Sequence, residues 1–298
     1  MTNRFSIGDA LGDALGLIRR HPLAVFVWGL LTAGPNVLVL AIGAEMGQLA
    51  PDPDAALTAG WWQYQAISGL ISIAQLVLTV VAGTATMRAV LHGEGQRRAF
   101  FMRFGMDELW VAVSYIAMIA AVYAGIIVVG LAGVAAGLIL WAVNEGVAIG
   151  LGVLIGVVGG VAVVWLMLRV SLIPAASVRA HRFAFAEGWR LAKGQALRIL
   201  GVSLAALVLI VTLYAAIILL AIIIALVLGI ALPNLEQLGE MAQLSLDSGP
   251  QVWALAMIAL IPASILMGVI HVLSYGPLAS AVRQLAGPGP GAPQADLG

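Results

Sequence analysis

The residues of this chain that could do chemistry are few, and their spacing does not match a catalytic or metal site. Asp107 and Glu108 are adjacent acids, but neighbours on a helix point about 100° apart and do not form a dyad by themselves. The four histidines lack metal-ligand spacing, and no Cys is available for disulfides, thiolate catalysis or metal binding. Cations are more promising, because Lys and Arg near a membrane can bind phosphate.

Sequence motifs of known enzyme classes were sought and are absent. The sequence contains no Ser nucleophile elbow, no Ser-x-x-Lys, no Walker loop and no His-Glu-x-x-His. We therefore expect no enzymatic activity and no cofactor.

Composition places the chain in a membrane. It is 62% hydrophobic and 9% charged, which is more apolar surface than one soluble core can bury. Six apolar stretches reach the roughly 20 residues that a spanning helix needs, near residues 22–44, 65–91, 109–142, 147–173, 199–231 and 252–284. We expect an all-α, polytopic membrane protein with one transmembrane helical domain over 1–286 and a disordered cytoplasmic tail over 287–298.

The Lys and Arg residues orient these spans. All 14 fall in clusters at alternate ends of the apolar stretches, and the other loops carry acids only. Loops rich in Lys and Arg stay on the cytoplasmic side. We therefore expect both termini in the cytoplasm and a location in the bacterial cytoplasmic (inner) membrane.

A short pattern recurs three times in register with this topology. An aromatic residue, an acid four positions later and then Leu or Trp precede each pair of spans: Phe5, Asp9, Leu11; Phe104, Glu108, Trp110; Phe183, Glu187, Trp189. Small-residue runs ending in Arg88, Arg179 and Arg283 close the pairs. We predict three similarly oriented hairpins, in units of about 5–98, 99–182 and 183–287, each preceded by a short interfacial segment.

The interfacial segments carry the candidate lipid contacts. Residues 5–18 and 183–198 combine apolar faces with charged margins, and Ser6 is placed to cap the first helix. Such helices lie in the headgroup layer, where Arg binds phosphate through paired N–H groups. The candidate contacts to lipid head groups are Arg19, Arg20, Arg190, Lys193 and Arg198. The alternative is that these cations only fix the topology.

Polar residues within the spans form a second group of candidates, because burying them is costly unless they are paired. They are Asn36, Arg169 and His271. Asn36 follows Pro35, which indicates a kink with backbone groups in need of partners. Arg169 either snorkels to the interface or binds a lipid phosphate. His271 either bonds to a neighbouring helix or relays protons.

Glycines at every fourth position give the two middle spans smooth faces suited to close helix contact. They are Gly125, Gly133 and Gly137 in the third span and Gly152, Gly156 and Gly160 in the fourth. We expect these faces to pack on each other within the hairpin, with a dimerisation face as the alternative.

Phe183 to Leu200 and Phe5 to Pro22 resemble segments of a known group of bacterial membrane proteins. The group comprises six-span proteins related to the membrane domain of glycerophosphoryl diester phosphodiesterase and the YciC-like inner-membrane proteins. In the diesterase that region is joined to a separate soluble catalytic domain. This sequence has no such domain, so the resemblance implies the membrane fold without the activity.

The sequence therefore favours a non-enzymatic integral membrane protein, a scaffold or lipid-contacting helper. The alternative is a small-molecule transporter or channel subunit, suggested by Pro35, Arg169 and His271. We expect its partners to be membrane lipids, anionic phospholipid among them, and a cytoplasmic or membrane protein. We expect no nucleic-acid partner.

Overall fold

The computed structural model describes residues 5–49, 59–92, 99–102, 105–141, 144–227 and 249–287. Two expectations concern residues outside these ranges. They are the repeat residue Phe104 and the tail, of which only Gly287 is described.

The described residues are helical and contain no strand, so the all-α fold is confirmed. The helices are α1 Ile7–Arg20, α2 Pro22–Leu49, α3 Ala59–His92, a 3₁₀-helix Ala99–Phe101, α4 Met106–Trp141, α5 Glu145–Val170, α6 Ile173–Ala180, α7 Phe185–Leu191, α8 Ala196–Val227 and α9 Gly249–Ala286. Side chains cap two of them as elementary helix chemistry requires. The Asp9 N–H donates to Ser6 Oγ (3.3 Å), and the Val147 N–H donates to Asn144 Oδ1 (3.1 Å).

Six segments in the described ranges are long and apolar enough to cross a membrane, which confirms the predicted number. They are Pro22–Gly43, Trp61–His92, Met106–Trp141, Glu145–Ala180, Ala196–Leu220 and Ala256–Ala286. The long third and fifth stretches are single helices, α4 with 36 residues and α8 with 32. At 1.5 Å per residue α4 extends about 54 Å, well beyond a hydrocarbon core of about 30 Å. A helix of this length either tilts within the bilayer or extends beyond the hydrocarbon core.

The buried core lies at one end of the bundle, where α1, α6 and α7 pack against the ends of the spanning helices. The first turns of α4 enter this layer, with Glu108, Val111 and Ser114 buried. All six residues from Ile173 to Val178 of α6 are buried there as well. We call this the basic end, because the described Arg and Lys residues gather there. The remaining length of α4 and α5 is mostly exposed and apolar, as lipid contact requires.

The last spanning helix packs most extensively on the first rather than on its neighbour in sequence, α8. Gly29 of α2 and Gly268 of α9 allow this contact. A β-carbon at Gly29 would collide with the carbonyl oxygen of Ser264, and one at Gly268 with that of Val25. Two small residues thus bring the backbones of α2 and α9 together, the usual basis of close helix packing in lipid.

α4 and α5 also pack along each other, but only partly through the predicted faces. Gly125, from the predicted face of α4, lies against Val163 of α5, and Gly159 of α5 lies against Val129 of α4. A β-carbon at Gly152, Gly156 or Gly160 would meet nothing within 4 Å. The expectation that the face with these three glycines packs within the hairpin is therefore wrong. On α5 the contact uses Gly159, which lies outside that series.

Candidate functional site

The basic end contains three arginines that the fold itself uses. Arg88 on α3 is only 5% exposed and contacts both adjacent acids of α4, with Nη2 at 3.0 Å from Asp107 Oδ2 and 2.7 Å from Glu108 Oε1. Its Nη1 also donates to the Phe101 carbonyl (3.4 Å). The two acids that could not form a dyad as helix neighbours thus converge on one guanidinium. This buried pairing is structural, because it leaves both carboxylates beside a permanent cation.

The other two closing arginines form related contacts. Arg179 at the end of α6 pairs with Glu187 of α7 (3.3 Å) and donates to the carbonyls of Ala286 and Gly287. Arg283 of α9 pairs with Asp13 of α1 and donates to the Val90 carbonyl (2.8 Å). Each arginine therefore bridges elements that are distant in sequence.

These contacts follow an order along the chain. Arg88 pairs with the acid that opens the second predicted unit, Arg179 with the acid that opens the third, and Arg283 with an acid of the first. The last contact departs from the pattern, because it uses Asp13 rather than Asp9, one helical turn earlier. The triplication itself stays a prediction, and the contacts are consistent with it.

A second set of cations is left over from this internal pairing. Arg19, Arg20, Arg190 and Lys193 are exposed, and none forms an ion pair with the residues that the structure describes. Arg20 lines a cleft of about 410 Å³ with Phe100 and Phe101. Arg198, the fifth predicted lipid contact, donates from Nη1 to the Phe5 carbonyl (2.9 Å) and so also ties α8 to the start of the chain.

Arg169 lies in the last turn of α5, beside two indole rings. Its guanidinium carbon is 5.1 Å from the centre of the Trp165 ring and 4.7 Å from that of Trp189 on α7. The two rings are 6.2 Å apart and perpendicular, so they flank the guanidinium on adjacent sides. The Nε of Arg169 is buried and has no hydrogen-bond acceptor among the described residues. The candidate span Glu145–Ala180 continues from α5 through α6, so the intramembrane position of Arg169 stays a prediction.

Beside Arg169 is a cleft of about 490 Å³ between the end of α5 and the start of α8, which we call the α5/α8 cleft. Its lining comprises Trp165, Arg169, Ala192, Lys193, Gly194, Ala196, Leu197 and Arg198. Two of the predicted headgroup residues, Lys193 and Arg198, thus share a site with Arg169, which the sequence placed in a different group.

Asn36 and His271, the other two predicted intramembrane residues, lie elsewhere. The side-chain amides of Asn36 and Gln75 both donate to the Thr32 carbonyl, at 2.9 Å and 2.8 Å, one turn before the Pro35 position. The His271 ring lies 4.5 Å from that of Tyr275 in α9. The three residues therefore have separate surroundings and do not form one polar site.

Sequence reasoning missed the roles of Trp165 and Gly194. Trp165 precedes Arg169 by four positions, a spacing that places both side chains on one helix face and could have indicated the contact. Trp189 was singled out only as a repeat residue, and nothing in the sequence predicts that α7 brings it over Arg169. Gly194 has φ of +75°, a left-handed conformation that suits glycine in the turn between α7 and α8.

Comparisons with protein-family models, with curated proteins and with solved structures find no match for this chain. The resemblance to the diesterase membrane domain and the YciC-like proteins is neither supported nor contradicted by them. Any functional assignment consequently depends on the geometry of the basic end.

Proposed function

We propose that this chain is a non-enzymatic integral membrane protein that holds anionic phospholipid at its basic end, as a scaffold or lipid-contacting helper. The observation that carries the proposal is the division of the cations into two sets. Arg88, Arg179 and Arg283 are used in internal contacts, whereas Arg19, Arg20, Arg190 and Lys193 are exposed without ion pairs in the described ranges.

Exposed cations at a membrane surface attract anionic lipid. Each one near an anionic leaflet contributes about 1 kcal/mol, and the attraction falls off within a Debye length of about 8 Å at physiological salt. The sidedness of Lys and Arg supports a cytoplasmic orientation of the basic end, in a bacterial inner membrane with both termini inside. The resemblance to six-span inner-membrane proteins agrees with this location, and we carry no phosphodiesterase activity over from it.

The experiment compares lipid enrichment around wild-type protein with that around the variant Arg19→Gln, Arg20→Gln, Arg190→Gln. Both are placed in nanodiscs of mixed phosphatidylglycerol and phosphatidylcholine, and the lipids that remain bound are counted by native mass spectrometry. We expect at least tenfold less enrichment of phosphatidylglycerol in the variant, since removing three charges at about 1 kcal/mol each sets an upper limit on the order of a hundredfold.

A charge-preserving control, Arg19→Lys, Arg20→Lys, Arg190→Lys, should retain most of the enrichment. Equal enrichment around wild type and the glutamine variant would overturn the proposed function.

A transporter or channel subunit is the second candidate. It is supported by two buried polar atoms, Gln75 Oε1 and His271 Nε2, that have no hydrogen-bond partner among the described residues. Such atoms in a spanning helix are costly unless water or a solute reaches them. Since the chain has no Cys, the variant Gln75→Cys can be treated with a charged, membrane-impermeant thiol reagent. Rapid labelling would favour a water-filled path, and protection would count against it.

A further inference from the structure

We infer that the α5/α8 cleft is a specific phosphate-binding site, in which Arg169 and Lys193 take the phosphate group of a phosphate ester. The inference rests on the proposed function, because it names a defined site within the anionic lipid contact. It uses different residues, however, from the exposed arginines that test that function.

Among the described residues, Arg169 is a cation without a counter-ion. Its guanidinium carbon lies 5.1 Å from the centre of the Trp165 ring and 4.7 Å from that of Trp189, distances at which an aromatic ring attracts a cation. No carboxylate of the described residues lies within ion-pair distance of it. Contact with two rings positions the guanidinium at the cleft, so an anion that enters the cleft meets a cation already in place.

The buried Nε of Arg169 points to the same conclusion. It has no acceptor among the described residues, and a buried donor of a charged group that stays unpaired costs free energy. By contrast, the closing arginines Arg88, Arg179 and Arg283 each reach a carboxylate and a backbone carbonyl. An anion in the cleft would give Arg169 the partner that the fold gives to those three.

Among the described residues, every charged side chain that lines the α5/α8 cleft is a cation. Arg169, Lys193 and Arg198 are present, and no Asp or Glu is among the lining residues. Arg198 is partly engaged by the Phe5 carbonyl, which positions it at the cleft while leaving its other nitrogens available. Three cations around about 490 Å³ suit a phosphate ester better than a carboxylate, because phosphate offers more oxygens to several donors at once.

The backbone supports anion binding at the same place. Gly194 adopts φ of +75° and turns the chain so that α8 begins at Ala196, inside the lining. The first N–H groups of a helix lack intrahelical acceptors and carry a partial positive charge. The N–H groups at the start of α8 add to the positive charge of Arg169, Lys193 and Arg198, and they do not define the site alone.

The rim of the cleft is apolar, which favours a phospholipid as the source of the phosphate. Leu197 is 84% exposed and Trp165 is 48% exposed beside the cationic lining. A phospholipid would place its phosphate on Arg169 and Lys193 and its glycerol and first methylenes against these two side chains. A soluble phosphate ester would use the cations without the rim.

The test measures binding to purified protein in a zwitterionic detergent, with two probes in parallel arms. One probe is a short-chain phosphatidic acid and the other is sn-glycerol 3-phosphate, each titrated by calorimetry against wild type and the variants Arg169→Gln, Lys193→Gln and Arg182→Gln. Arg182 is an exposed cation just before α7 that does not line the cleft, so Arg182→Gln is the matched control.

We expect the phosphatidic acid to bind wild type, with its Kd raised at least tenfold by Arg169→Gln and about fivefold by Lys193→Gln. Arg182→Gln should leave Kd within twofold. Arg169→Lys should give an intermediate loss, because an ammonium keeps the charge but does not present a planar fork. Equal affinity for the two probes would assign the site to soluble esters, and preference for the lipid would assign it to the membrane.

A Kd unchanged by both Arg169→Gln and Lys193→Gln would overturn the inference. Lys193 is exposed, so we expect Lys193→Gln to fold. If Arg169→Gln fails to fold, an unchanged Kd for Lys193→Gln alone overturns the inference. The proposed function can fail separately. It fails if the variant Arg19→Gln, Arg20→Gln, Arg190→Gln keeps its enrichment of phosphatidylglycerol, whether or not the α5/α8 cleft binds phosphate.

Discussion

Arg283, near the end of α9, pairs with Asp13 in α1 and thereby ties the last spanning helix to the first helix of the chain. The same side chain donates to the Val90 carbonyl of α3, so three segments meet at one guanidinium. Ser280, one turn earlier in α9, donates to the same Asp13 carboxylate. Arg88 and Arg179 bridge neighbouring parts of the basic end in the same manner. The closing arginines therefore stabilise the layer that presents the remaining cations.

Removing a closing arginine should destabilise the protein in proportion to its burial. Arg88 and Glu108 have side-chain exposures of 6% and 10%, so Arg88→Gln leaves the buried Glu108 without its cation and Asp107 with His181 alone. We expect a loss of about 3–5 kcal/mol in the free energy of unfolding. The Arg283 side chain is 42% exposed, and Arg283→Gln should cost about 1 kcal/mol or less.

The free energy of unfolding of each purified variant is measured in the same detergent by far-ultraviolet circular dichroism, and the variants are ranked by it. Arg190→Gln serves as the exposed control and should match wild type. A ranking in which Arg88→Gln is no less stable than Arg190→Gln would contradict the internal role of Arg88.

Close packing of α2 on α9 predicts a strong position effect for a single methyl group. Gly29→Ala forces a β-carbon against the Ser264 carbonyl, and we expect a loss of about 1–3 kcal/mol or more. Gly69→Ala, on an exposed face of α3, adds a methyl where nothing lies within 4 Å and should be neutral or slightly stabilising. Thermal unfolding midpoints of the pair measure the difference, and equal midpoints would argue against the α2–α9 contact.

The sequence was sufficient to predict the class and number of the spanning helices, because apolar length and charge sidedness are local properties. The run from Met106 to Trp141 and the cap at Ser6 are read directly from residue types. Helix pairing was not predictable in the same way. The contact of α9 with α2 depends on Gly29 meeting Gly268, residues that no local pattern connects.

The residues of the candidate site also differ in how far local sequence predicts them. Lys193 and Arg198 were found because basic residues next to aromatic ones mark an interfacial helix. Arg169 was grouped with Asn36 and His271 as an intramembrane residue, because the sequence does not indicate that it shares a cleft with Lys193 and Arg198. Its pairing with Trp189 requires the turn from α6 into α7, which sets two segments about 20 residues apart against each other. Tertiary contacts of this kind are not encoded in spacing.

The contact between α4 and α5 provides a test that separates neighbouring glycines of one helix. Gly159→Leu places a bulky side chain against Val129, whereas Gly156→Leu faces open space. We expect Gly159→Leu to lower the free energy of unfolding by about 1–3 kcal/mol and Gly156→Leu to change it by less than about 0.5 kcal/mol. The same unfolding assay applies. The reverse ranking would restore the predicted packing of the Gly152, Gly156 and Gly160 face.

Orientation in the membrane is testable with single cysteines, because the native chain contains none. Gly12 in α1 is exposed, and a β-carbon there meets nothing within 4 Å, so Gly12→Cys should be harmless. Glu145 is exposed at the start of α5, at the opposite end of the spans. If Lys and Arg hold the basic end in the cytoplasm, an impermeant maleimide added to spheroplasts should label Glu145→Cys at once.

Gly12→Cys should then react only after the cells are lysed. The cysteine-free parent controls for background, and lysed samples of both variants control for intrinsic reactivity of the thiols. Labelling of Gly12→Cys in intact spheroplasts would invert the topology and place the α5/α8 cleft at the outer leaflet. The proposed lipid contact would then have to be tested against outer-leaflet lipids, since the cations at the basic end would face those head groups instead.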